Sequence, residues 1–161
     1  MIIYHGSTKK VKRPKLLNNQ RLLDFGKGFY TTTNQEQAER WAKIKQKRAG
    51  EKSNAIVSVY EINDAIFQDS ELNTKTFPVA DEEWLDFIVT NRKENLNHGF
   101  DIVKGAVAND TLYETLTLFE TGVLSKPETI SRLKAHKLFD QISFHTEESL
   151  SELKFNETYQ I

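Results

Sequence analysis

The chain has 161 residues, a net charge of −1, 38% hydrophobic and 11% aromatic residues, proportions that fit one domain with a packed core and exclude general disorder. It contains no cysteine, which rules out disulfides, thiolate zinc sites and a cysteine nucleophile and fits a reducing compartment. No apolar run approaches the roughly 18 residues of a membrane span, and the start MIIYHGS lacks a secretory layout, so the expectation is a soluble cytoplasmic protein without a membrane partner.

In chain order, Met1–His5 reads as a first strand, and the basic, proline-containing stretch Lys9–Gln20 reads as a loop. Asp24–Thr33 (DFGKGFYTTT) has the glycines of a turn followed by the aromatic and β-branched residues of a strand. A helix follows to about Ala49, stopped by Gly50, with Thr33 and Glu36 spaced as a capping box and Asn34 a competing N-cap. Ala38, Trp41, Ala42 and the stem of Lys45 should share one side of it. Ala55–Ile62 is the clearest strand, Asp81–Glu94 a helix and Phe100–Ala108 a second central strand. Thr111–Thr121 reads as a helix ending at Gly122, and Ser125 with Glu128 caps another that runs to about Lys137. Phe139–His145 alternates, placing Gln141, Ser143 and His145 on one face and Ile142 and Phe144 on the other. A short helix from Thr146 and a Leu153–Phe155 strand complete a single α+β domain, without repeats or a linker.

The near-zero charge hides two opposed halves. Residues 1–52 hold thirteen Lys or Arg against four acids, whereas residues 53–161 hold nine against nineteen. The amino-terminal third therefore faces something anionic, or else its cations simply solvate loops and one helix face.

The common catalytic signatures are missing. The four histidines (His5, His98, His136, His145) lack metal-ligand spacing, so no metal is expected. The Gly26-Lys27-Gly28 string matches neither a P-loop nor a dinucleotide fingerprint, and no serine sits in a nucleophile elbow.

Three segments remain distinctive. Tyr4-His5-Gly6-Ser7 follows a strand, Gly26-Lys27-Gly28-Phe29-Tyr30 comes about twenty residues later, and Trp41 lies eleven residues after Tyr30. Asp140-Gln141-Ile142-Ser143-Phe144-His145 lies near the carboxyl end. In this order the segments resemble the NAD-binding motifs of the ADP-ribosyltransferases, in the diphtheria-toxin and poly-ADP-ribose-polymerase branch. Together with FDIVKGAVAND they also resemble a small bacterial transferase-like family whose members are often encoded beside antitoxin-like partners.

The resemblance implies split antiparallel sheets around an NAD cleft with peripheral helices. It implies that Gly6 meets the nicotinamide amide through its backbone, that His5 and Ser7 meet the adenosine ribose, and that Gly28 belongs to the cofactor-binding turn. Tyr30 and Trp41 would stack on the cationic nicotinamide, since electron-rich rings attract a cation. Gln141 falls where better-known members carry a catalytic glutamate. Its amide can hydrogen-bond a ribose hydroxyl but cannot supply a negative charge. That departure argues against polymer synthesis and leaves mono-ADP-ribosylation by Gln141, His5 and Tyr30 or a catalytically silent binding module. Asp140, Asp110 and Glu147 are reserve carboxylates, and Ser143 and His145 share the face of Gln141.

The function expected is NAD-dependent transfer of ADP-ribose to a protein or nucleic-acid acceptor, as the toxin of a toxin–antitoxin or phage-defence pair with a small antitoxin partner. The alternative is a silent module that holds NAD, a nucleotide or RNA. A 2′-phosphotransferase activity ranks last, because only Arg13, Arg21, Arg40 and Arg48 lie near the motifs.

Overall fold

A computed structural model of the protein describes residues 1–17, 23–50, 52–68, 71–94, 97–107, 110–134 and 138–161, with the side chains of 110–112 outside the described set. In chain order the elements are β1 (Ile2–Ser7), β2 (Phe29–Thr31), α1 (Gln35–Ala49), β3 (Ile56–Glu61), a 3₁₀ turn (Asp64–Phe67), β4 (Thr74–Thr76), α2 (Glu82–Lys93) and β5 (Ile102–Ala106). They continue through α3 (Asp110–Glu120), α4 (Lys126–Lys134), β6 (Asp140–Phe144), α5 (Glu147–Ser151) and β7 (Lys154–Gln160).

The class is α+β, with two sheets. One is antiparallel, in the order β1-β3-β7, and the other runs β2-β6-β5-β4. The expectation of purely antiparallel sheets needs one correction: β4 pairs with β5 in parallel, Thr74 opposite Ile102, so the larger sheet is mixed. The reason is topological. The link from β4 to β5 passes through α2, and a helical crossover can return the chain in the same direction, which a tight hairpin cannot.

Strand alternation decides how the layers stack. On β1, Ile3 and His5 point one way and Tyr4 and Gly6 the other. Ile3 joins Phe29, Tyr60, Ile102, Ile142 and Phe144 in a buried cluster drawn from both sheets, so the sheets face each other across it. The opposite face of the smaller sheet receives α1, where Ala38 and Ala42 pack on Val57 and Val59. A third cluster, built on Trp84, Leu85, Ile88, Leu116 and Leu133, covers the outer face of the larger sheet with helices.

The sheets also meet at one seam. Tyr4 donates its amide to the Thr32 carbonyl at 2.8 Å, and Thr32 returns the bond at 3.0 Å. These two hydrogen bonds form an isolated antiparallel bridge between the sheets.

The helix ends follow local chemistry. Asn34 takes the N-cap of α1 with its side chain accepting from the Gln37 amide at 2.8 Å, and Thr33 is drawn off to Asp140. Gly50 at φ 100° closes the same helix with its N–H on the Gln46 carbonyl. Ser125 and Glu128 form the expected reciprocal cap before α4. The expected end of that helix at Lys137, and His136, lie outside the described residues.

Candidate functional site

A cavity of about 380 Å³ opens between α1 and the edge of the larger sheet. Helix α1 supplies one wall through Gln37, Arg40, Trp41, Ile44, Lys45 and Arg48. Tyr30 from β2 and Gln141 from β6 form the opposite side, with Asp24 on the turn that leads into β2. The helix reaches this geometry because residues one turn apart lie on one face, so Gln37, Trp41 and Ile44 line the hollow while Ala38 and Ala42 meet the strands.

Tyr30, Trp41 and Gln141, which the sequence motifs single out, therefore share one cavity. Trp41 departs from the expected common face with Ala38 and Ala42: it is half-buried and looks into the hollow instead. Tyr30 is fixed rigidly. Its hydroxyl accepts from the Phe25 amide at 3.0 Å and donates to the Gly26 carbonyl at 2.6 Å. Burial, and then the nearby charge of Asp24, push its phenol well above the ordinary range, so the ring stays neutral.

Gln141 is 2% exposed. Its amide donates to Asp24 Oδ2 at 3.0 Å and to the Ala106 carbonyl at 3.3 Å. The Asp24 side chain is itself only 14% exposed, and Arg92 lies 3.9 Å from its other oxygen. Arg92 reaches Glu120 as well, at 4.0 Å, so its charge is shared between two carboxylates. A carboxylate thus stands beside the residue whose own side chain cannot carry one. Sequence reasoning missed Asp24 because an aspartate before a glycine turn has no distinguishing pattern.

The HGS segment behaves differently. His5, Gly6 and Ser7 do not line the cavity. His5 lies on the other face of the seam, stacked on Phe29 with ring centroids 4.3 Å apart. Its Nδ1 is 2.6 Å from the Tyr30 carbonyl, an acceptor, so Nδ1 carries the proton and donates. His5 consequently touches the site only through the backbone of Tyr30. The Gly6 carbonyl already accepts from Lys45 Nζ at 2.7 Å, and its missing side chain has a packing explanation: a Cβ there would fall 2.0 Å from the Ala38 carbonyl oxygen. Ser7 closes a local turn with the backbone of Lys9. Gly28 makes room for His145, whose Nδ1 would lie 2.8 Å from an added Cβ.

The other reserve groups are accounted for as structure. Asp140 accepts from Thr32 and Thr33, tying β6 to the start of α1. His145 donates Nδ1–H to the Lys27 carbonyl at 2.6 Å, which leaves Nε2 to accept from the fully buried Ser143 hydroxyl at 2.8 Å. Glu147 lies in the first turn of α5, where a negative charge suits the helix dipole. The Asp110 side chain lies outside the described set. Among the described residues no group of three or more His, Asp or Glu could hold a metal ion.

Charge around the cavity is divided. Arg40, Lys45 and Arg48 line it with cations, and Asp24 and Glu36 with anions. Lys45 exposes much of its length, but its ammonium sits against Gly6 at the helix–strand contact, and burial there pulls its pKa down to about 8.

The two histidines at the seam make a pH prediction. Burial, then the charge of Lys45, lowers the pKa of His5 from 6.5 to about 3, against the pull of the Tyr30 carbonyl. Burial, then His98, lowers that of His145 to about 4, against the pull of the Lys27 carbonyl and Asp101. The unfolded chain takes up protons near pH 6.5 that the folded chain refuses. Their stabilisation is complete above pH 6.5 and is lost as pH falls toward 4, by about 1.4 kcal/mol per pH unit for each histidine. Thermal scans should show a level Tm from pH 7 to 8 and a steep fall between pH 6.5 and 4.5. A flat profile down to pH 4.5 would contradict the buried, neutral assignment.

Taken together, the fold and site define a two-sheet α+β protein with a helix-walled cavity that combines aromatic rings, cations and a buried carboxylate. The family described as a protein of unknown function (DUF3990) matches residues 1–155, and the chain belongs to it. No curated protein and no solved structure matches the chain. No helix among the described residues is long and apolar enough to cross a membrane.

Proposed function

We propose that the protein is an NAD-dependent mono-ADP-ribosyltransferase. The observation that carries this reading is the meeting, in one cavity, of Tyr30 and Trp41 with Gln141, which lies 100 residues beyond Trp41, and with the Asp24 carboxylate 3.0 Å from Gln141. The two facing sheets agree with the fold that the motif resemblance implies, and a volume of about 380 Å³ lies within the range usual for small-molecule sites.

The chemistry asks for these groups. When NAD reacts, the bond between ribose C1′ and the nicotinamide nitrogen breaks, and its electron pair leaves with neutral nicotinamide. The ribose passes through an oxocarbenium-like state, which a fixed negative charge stabilises. The acceptor's oxygen or nitrogen then bonds to C1′ and gives up its proton to the carboxylate. Tyr30 and Trp41 hold the cationic ring, Gln141 orients the ribose and Asp24 supplies the charge. Arg40 and Arg48 face the diphosphate, Lys45 is held on the Gly6 carbonyl, and His5 acts as a positioning residue through the Tyr30 backbone.

The surplus cations on α1 support an anionic partner beside the cleft, such as a nucleic-acid acceptor or an acidic antitoxin. A shallow groove along the outer side of the helix is lined by Arg40, Lys43 and Lys47 together with Glu36 and Glu39, so it carries a surplus of a single positive charge. The same feature favours the second reading, a module that binds NAD or RNA without turnover.

Incubation with labelled NAD and separate pools of cell protein, RNA and DNA tests both. The expected result is label in one pool with matching release of nicotinamide. NAD binding with neither label, nicotinamide nor free ADP-ribose would leave the binding module, and no NAD binding at all would overturn both forms.

A further inference from the structure

Gln37 is the most unusual polar side chain of the cavity. It is 6% exposed, it lines the cavity, and neither its Oε1 nor its Nε2 has a hydrogen-bond partner. Its backbone amide is already taken by Asn34, so the helix cap does not explain the side chain. A buried amide almost always finds partners, and one left without them stores a penalty that a bound group can relieve. The orphaned atoms are one donor group and one acceptor side by side, both closed off from water, at the tip of a side chain that borders the cavity one turn before Trp41, so a ligand meets them when the side chain turns toward the hollow.

We infer that Gln37 is the residue that reads the ligand, pairing its amide with a donor–acceptor edge, and that this edge is a primary carboxamide. The inference rests on the NAD reading above. NAD offers two edges of this kind: the nicotinamide carboxamide and the N6-amino edge of adenine, which pairs with glutamine through the same hydrogen bonds. The carboxamide is favoured because Gln37 shares the cavity with Tyr30 and Trp41, the rings suited to a cationic pyridine. Gly6 cannot take that role, since its carbonyl is bound by Lys45 and it does not reach the cavity. Recognition of the carboxamide therefore falls to a side chain on the helix rather than to strand backbone.

Gln37→Met keeps the length and bulk of the side chain and removes both hydrogen-bonding atoms, while Gln37→Glu keeps an acceptor and removes the donor. Each variant and the parent would be titrated calorimetrically with NAD, nicotinamide and ADP-ribose, and each unliganded protein scanned for Tm. Loss of a polar partner inside a closed site costs about 10- to 100-fold in affinity. Gln37→Met is expected to weaken NAD and nicotinamide by that factor and to leave ADP-ribose within twofold. It should also raise the Tm of the unliganded protein by a few degrees, because an unpaired buried amide has been replaced by an apolar group. Gln37→Glu should weaken nicotinamide too.

Weakened ADP-ribose with unchanged nicotinamide would overturn the carboxamide and assign the adenine edge. NAD binding by both variants within twofold of the parent would overturn the inference while leaving the NAD reading intact. A parent that binds none of the three ligands would overturn both. A lower Tm for Gln37→Met would overturn the premise that the amide stands unpaired before binding.

Discussion

Asp24→Asn is expected to cut the rate of nicotinamide release by about 100-fold or more while changing NAD affinity only a few-fold, since removing one electrostatic group aimed at a developing charge costs about 10²–10³ in turnover. The substitution is nearly isosteric and removes only the charge. It leaves the Gln141 amide a carbonyl oxygen to bond in place of Asp24 Oδ2, now 3.0 Å away. The expected signature is therefore a fall in kcat with KM little changed. A general loss of packing would move KM and Tm together. Because Arg92 also lies near Asp24, a Tm scan of Asp24→Asn belongs beside the kinetics. Turnover within twofold of the parent would remove Asp24 from the chemistry and return the charge problem to Gln141.

The companion substitution, Gln141→Glu, should not raise the proposed NAD turnover. A glutamate there would set two carboxylates about 3 Å apart, and like charges that close cannot both ionise readily. The glutamine is thus compatible with a working site whose carboxylate comes from a different element.

Gly6→Ala is the second large effect, and it is an effect on stability. A Cβ at this position would lie 2.0 Å from the Ala38 carbonyl oxygen and 2.8 Å from the Ala42 amide nitrogen. Both are backbone atoms of α1, so no side chain can rotate away, and the helix must lift off β1. Overpacking of this kind costs about 3 kcal/mol, occasionally more. For a domain of this size that is a drop in Tm of about 6–12 °C. Since α1 supplies most of one cavity wall, ligand affinity should fall along with stability. The measurement is a thermal scan with and without NAD. A Tm within 2 °C of the parent would mean that the glycine is required by something other than helix packing.

These two positions show what the sequence could and could not reveal. Elements with strong local signals were legible: α1 between Asn34 and Gly50, the alternation of β6, and the cap at Ser125. Strand β4, only Thr74–Thr76, was not, because three polar residues at a sheet edge have no apolar period to detect. Strand β7 runs to Gln160, well past the expected Phe155, since its pairing with β3 comes from the backbone and its side chains are mostly polar.

The site divides in the same way. Tyr30, Trp41 and Gln141 belong to motifs with fixed spacing. Asp24 and Gln37 reach the cavity through their place in the fold alone. Gln37 did leave one trace, as a polar residue four before Trp41 on a helical face, where the sequence places an aromatic against protein. Gly6 was recognisable as special, but its reason lies in the approach of a helix that no local pattern specifies.

The seam between the sheets carries a consequence for motion. The Tyr4 and Thr32 amides bond each other's carbonyls across it, as an isolated bridge rather than part of a continuous ladder. Any breathing of one sheet against the other must break this pair, whereas neighbouring residues such as Phe29, paired with Phe144, stay locked within their own sheet. Deuterium uptake at these two positions is thus a gauge of how often the cleft widens, readable before any substrate is known.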